Sequence, residues 1–354
     1  MRPGAEATRR AAHLVLALPG GRSVRIARRS YRTGLCMAAA CLLVCALSVF
    51  TGTYHISAVR VLEVLAGGGD TTDRFIVIDQ RVARLCAALL VGALLGLAGA
   101  LFQTLSRNPL GSPDIIGFTT GSTTGALTVL LAGGAGGAGT GLGTGGGALL
   151  GGLATAVLVQ LMSSARGGTG GSRLVITGIA MGAMLASVND YLITRADIES
   201  AESAKAWTFG SLNAITWNQV APAALAFPVL LAATAVLARP LRMTEMGDDT
   251  AAGLGIRTER VRVAALFVGV ALTGTAIAVA GPIGFLALAA PQLARRLARV
   301  PGTPVATAAL TGALLLCTAD YLAQRLLAPF QIPVGLLTGA LGGLYLMWLL
   351  WRQN

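Results

Sequence analysis

The chain has 354 residues, of which 54% are hydrophobic and 12% charged, with a mean hydropathy of +0.71. Soluble domains carry about a quarter charged residues, so this composition excludes an ordinary soluble domain and points to an integral membrane protein. The formal charge of +12 rests on 26 arginines and one lysine, Lys205. Arginine gathers in the first 33 residues and in alternate loops, which is a topology signal and not a nucleic-acid footprint.

In chain order, a basic arm at 1–33 carries eight arginines, suited to fixing topology or meeting anionic lipid at about 1 kcal/mol each. The apolar run 34–51 follows. No small-residue cleavage site comes after Phe50, so the run reads as an uncleaved first span. Further runs lie at 85–105, 116–132, 148–164, 174–193, 220–238, 263–280, 283–293, 305–322 and 333–350. Most approach the ~20 apolar residues that cross a ~30 Å hydrocarbon core. The eighth is shorter, bracketed by Pro282 and Pro291, and reads as a half-helix sheltered inside a bundle. Ten crossings with both termini in the cytoplasm place 20 basic residues inside and 7 outside, a strong positive-inside bias. The expected fold is an all-α integral membrane protein with one membrane-spanning domain over 34–354 and a long inner loop at 239–262.

The glycine-rich segment 133–147 lacks a following Lys and reads as a flexible connector. Cys36, Cys41, Cys45, Cys86 and Cys317 all fall in apolar runs, where free cysteine behaves as a small hydrophobe; neither disulfides nor a metal site are expected. His13 and His55 lie outside the apolar runs. No residue set suggests catalysis. A Walker A loop needs a Lys after its glycines, and the one Lys sits in ESAKAWT, so any ATP chemistry belongs to another subunit. Asp190 and Asp320 lie near the outer ends of their runs, where pairing or capping suits them better than a proton relay.

The inner segment 241–260, LRMTEMGDDTAAGLGIRTER, has acids suited to a helix start and glycines suited to a turn. On residue types alone it is equally a short surface helix or a helix that lodges in a partner and passes force to the spans.

Six segments in order carry a resemblance: 80–122, SRLVITGIAMG (172–182), WTFGSL (207–212), MGDDTAAGLGI (246–256), GPIGFLALAAPQLARRL (281–297) and 319–343. Together they resemble the permease family of ATP-binding-cassette importers for iron–siderophores, haem and cobalamin, the FecCD type, from about residue 35 onward. The resemblance implies a multi-pass permease of a prokaryotic cytoplasmic membrane. It implies pairing with a second permease chain, two ATPase subunits that hold ATP and magnesium, and an extracytoplasmic binding protein. No cofactor is implied for the chain itself. A ferric siderophore is the expected cargo, with cobalamin or haem as alternatives; an ion-coupled carrier using Asp190 and Asp320 and a non-transporting scaffold are the rival classes.

By the same resemblance, Arg81, Arg84 and Arg325 dock the binding protein, with Gln324 competing for the third position. Asn108, Leu110 and Ser172 belong to the cytoplasmic gate. Glu245, Met246, Gly247, Asp248, Asp249, Ala252, Leu254 and Gly255 form the ATPase-coupling segment. Three departures from the family pattern stand out: Ala83 for a proline between the arginines, Gln292 for a histidine after Pro291, and Gly342–Leu346 for the final G-x-P-x-F.

Overall fold

A computed structural model describes residues 13–18, 22–52, 54–132, 143–164, 171–299, 305–328 and 330–351. From residue 28 onward the described residues form helices and connections, as expected, and the arm adds a two-stranded hairpin. In the arm, β1 (His13–Leu18) pairs antiparallel with β2 (Arg22–Ala27), from His13 opposite Ala27 to Leu18 opposite Arg22. Both strands carry β-branched residues, and the Pro19, Gly20 and Gly21 between them are residue types of turns. The arm's arginine content masked this local pattern.

Among the described residues thirteen helices follow: α1 (Arg28–Phe50), α2 (Ala58–Leu65), α3 (Thr71–Leu105), α4 (Phe118–Ala132), α5 (Gly143–Ser164), α6 (Gly171–Arg195), α7 (Ile198–Thr208), α8 (Trp217–Thr244), α9 (Asp248–Gly253), α10 (Thr258–Ala280), α11 (Leu286–Ala298), α12 (Val305–Arg325) and α13 (Val334–Trp351). Each of the ten apolar runs contains a helix. Seven of these, α1, α3, α5, α6, α8, α10 and α12, are long and apolar enough to cross a membrane. The glycine-rich connector falls largely outside the described residues.

Helix α3 is the axis of the bundle, buried along most of its length between α10, α11 and α12. Its glycines explain how. A Cβ at Gly92 would collide with the Gly312 carbonyl, one at Gly96 with that of Ala308, and one at Gly99 with that of Ala287. In lipid, helices associate by close backbone packing at small residues, and this i, i+4, i+7 row provides it. The first turns of α3 widen into a π-helical stretch over Phe75–Val82, just before Ala83, where the resemblance would place a proline.

The half-helix differs in detail from expectation. Helix α10 ends at Ala280, Gly281 (φ 70°) and Phe285 (φ 64°) take left-handed backbone, and α11 then runs through Pro291. Proline frees the carbonyl four residues earlier, here that of Ala287. That carbonyl faces Gly99 of α3, so a kink residue becomes part of the packed seam.

Candidate functional site

The hairpin after α3 is built from its last turn. Asn108 N–H donates to Gln103 O (3.1 Å) and Arg107 N–H to Thr104 O (3.2 Å), the paired 6→1 and 5→2 bonds of a Schellman motif. That motif takes a left-handed residue, normally glycine, and here Arg107 occupies it at φ 50°. Asn108 Oδ1 then accepts from Leu110 N–H (2.9 Å), an Asx turn that fixes the N-P-L corner. Asn108 and Leu110 are both exposed. Ser172 sits in the first turn of α6.

The coupling segment is an elbow. Gly247 (φ 110°) and Gly255 (φ 82°) bend the chain on either side of the six-residue α9. Ala251 is fully buried and seats the helix, while Glu245, Met246, Asp249, Ala252 and Leu254 are exposed. Two large apolar side chains, Met246 at 61% and Leu254 at 58% exposure, thus project from a charged elbow.

These two regions are joined. The Arg107 guanidinium donates both to the Asp248 carboxylate and to the carbonyl of Thr244, the last residue of α8. From the other side, Arg262 of α10 donates to Asp248 Oδ1 (2.7 Å) and Oδ2 (2.9 Å). Burial pushes the Asp248 carboxyl up, but the hydrogen bonds and charges of Arg262 and Arg107 outweigh it and hold the group below its ordinary range. Asp248 is therefore bridged between Arg107 and Arg262, whereas Asp249 is left facing outward.

The hairpin is held from above as well. Gln292 Nε2 donates to Pro109 O (2.7 Å), and Tyr345 Oη donates to Gln292 Oε1 (3.2 Å). Two of the departures from the family pattern thus meet in space and bear on the same corner. Beside them, Gln103 spans the α3–α11 seam, donating to Leu288 O (3.0 Å) and accepting from Arg295 (2.8 Å).

The three arginines at the opposite end divide. Arg84 donates through Nε and Nη2 to Asp320 (2.8–3.1 Å) and through Nη1 to Gln331 Oε1 (3.0 Å); both members of the pair are largely buried. Arg81 donates to Val49 O (2.8 Å) and Tyr54 O (2.6 Å), and its guanidinium lies against Gly52, where a Cβ would leave no room. Arg325 is exposed and stacks over Tyr321 at 5.6 Å, while Gln324 turns inward to Asp320 (2.8 Å). Arg81, Arg84, Asp320 and Gln324 line a cavity of about 320 Å³ between α1, α3 and α12. Asp190, by contrast, is exposed on α6.

Sequence reasoning missed Arg107 and Arg262 as partners of Asp248, because both were accounted for as topology charges. The signal available was the non-glycine residue directly after the last turn of α3. It also missed the Gln292–Tyr345 pair, 53 residues apart.

The model of the FecCD transport family matches residues 40–352. The chain is 41% identical over 331 residues to the ferric enterobactin transport system permease protein FepG of Escherichia coli (strain K12), covering 94% of this chain and 99% of that one. It is 33% identical over 284 residues to the hemin transport system permease protein HmuU of Yersinia pestis, covering 78% and 83%. A solved inward-facing metal-chelate type ABC transporter shares the fold, with a TM-score of 0.80 at 23% identity over 91% of this chain and 99% of that one.

Proposed function

This chain belongs to the FecCD transport family, and from that premise we propose that it is the permease of an ATP-driven importer for a ferric siderophore. In this reading ten segments cross the membrane with both termini in the cytoplasm. A second permease chain completes the pathway, two ATPase subunits hold ATP and magnesium below, and a binding protein delivers cargo above. The 41% identity to a ferric enterobactin permease supports the cargo. Haem is the second reading, supported by the hemin relative.

The observation that carries the mechanism is the Arg107–Asp248–Arg262 clamp. A force applied at the exposed Met246–Leu254 elbow reaches the Asn108–Leu110 corner through one carboxylate. Closure of the ATPase pair shifts α9, Asp248 draws Arg107 with it, and the corner at the inner mouth moves. The permease makes and breaks no covalent bond. An ion-coupled carrier finds little support, because Asp320 is neutralised by Arg84 and Asp190 is exposed on α6.

The test is reconstitution in vesicles with the ATPase, the binding protein and the sister chain. ATP-dependent uptake of a ferric siderophore that survives an ionophore is expected. Uptake that collapses with the ionophore and persists without the ATPase would overturn the reading. Competition by haem in the same assay reassigns the cargo.

A further inference from the structure

Helix α1 presents Met37, Cys41 and Cys45 at spacings of four, one above the other on the face turned to α12. Cys317 of α12 meets them. The sulfurs of Cys41, Cys45 and Cys317 all lie within 4.8 Å of one another, and Met37 Sδ lies 3.3 Å from Thr311 Oγ1 one turn along the seam. Met37, Cys41 and Cys317 are buried, at 5%, 7% and 1% exposure. Cys317 also lines the 320 Å³ cavity that holds Arg81, Arg84 and Asp320, so the cluster has a polar approach despite its apolar walls.

We propose that Cys41, Cys45 and Cys317 form a binding site for a soft monovalent metal ion of the Cu(I) class, entered through that cavity. At a metal–sulfur distance of about 2.3 Å, three sulfurs arranged trigonally lie about 4 Å apart, so separations of no more than 4.8 Å leave at most a small closing movement. Thiolate and thioether donors select Cu(I) over hard ions, which take oxygen. The cluster is therefore no station for a ferric chelate, and the site stands apart from the transported cargo. Each thiolate that binds releases one proton. A structural zinc site takes four ligands, one more than the three sulfurs assembled here. The expectation of inert thiols drawn from their apolar flanks overlooked that three of the five converge.

The full-length permease in lipid nanodiscs, kept anaerobic, is titrated with Cu(I) held by bicinchoninate. One Cu(I) per chain should leave the chelator for the wild type, and none for the triple C41S/C45S/C317S variant. Cys317→Ala alone, which keeps the seam apolar and foldable, should weaken binding about tenfold or more. Cys36→Ser, at an exposed position on the same helix, should leave it unchanged. Cu(I) uptake that survives the triple variant or is absent from the wild type overturns the site. So does preferential Zn(II) uptake, or a Cys317 disulfide to Cys41 or Cys45 found by non-reducing peptide mapping of the protein as isolated.

Discussion

Arg107 is the residue where local chemistry and function conflict. Left-handed backbone costs a side-chain-bearing residue about 1–2 kcal/mol, and glycine would remove that cost. Arginine persists there with its guanidinium on Asp248 and Thr244 O. Arg107→Gly should therefore fold at least as stably as Arg107→Ala, by about 1 kcal/mol in thermal unfolding, while both lower ATP-coupled uptake several-fold. Normal coupling in the glycine variant would remove the clamp from the mechanism.

Asp248 has a defined pH window. Its folded-state carboxyl is held below the ordinary value, so its contribution is present above the unfolded value near 4 and is lost as pH falls through the lower folded value. The carboxylate is 44% exposed, and solvent screening keeps the effect small. Thermal unfolding followed from pH 7 to pH 3 should show a shallower acid decline in Asp248→Asn than in the wild type.

The arginines at the opposite face separate by the same logic. Arg84→Glu sets a like charge against the buried Asp320 carboxylate, and breaking a buried pair costs about 3–5 kcal/mol, so the variant should lose yield and monodispersity. Arg325→Glu changes an exposed charge and should leave folding intact. If Arg325 meets the binding protein, that variant weakens docking most at low salt, where screening is least; equal affinity at low ionic strength would release Arg325 from the role.

At the scale of elements, the α11–hairpin–α13 junction is a shared network. Gln292 is buried, at 5% exposure, and bridges Tyr345 to Pro109 O. Removing one partner of a buried hydrogen bond costs about 1–3 kcal/mol. Gln292→Ala should accordingly destabilise more than Tyr345→Phe. The double variant should fall short of the sum, because both changes sever the same chain of bonds. Additive losses would mean that the two side chains act separately. The small-residue seam is stricter: Gly99→Ala drives a methyl into the Ala287 carbonyl and, with overpacking costing about 1–3 kcal/mol, should lower the melting temperature of the detergent-solubilised chain.

At the scale of the whole molecule, the clamp, the corner and the elbow form one continuous chain of contacts from the exposed Met246 and Leu254 to the Asn108–Leu110 corner. Membrane class, the helices in the ten apolar runs, the half-helix and the short helix with its flanking glycine turns at 247–255 were legible in the residues. Apolar length, charge bias, and glycine and proline punctuation are local properties, and lipid leaves a chain few other ways to satisfy its backbone. The strands of the arm were equally local and were passed over only because charge dominated the reading. The partners of the functional side chains were not legible. Arg84 meets Asp320 across 236 positions and Arg107 meets Asp248 across 141, and nothing in either neighbourhood names the other. The family motif marked Asp248 for an outside partner, and only the packing of α3, α8 and α10 bridged it between Arg107 and Arg262. Likewise five cysteines in apolar runs read as five small hydrophobes; the docking of α1 on α12 brought three of them together. Hydropathy decides which segments enter the membrane, but which faces meet there depends on where small residues let backbones approach, and that is settled by the whole bundle at once.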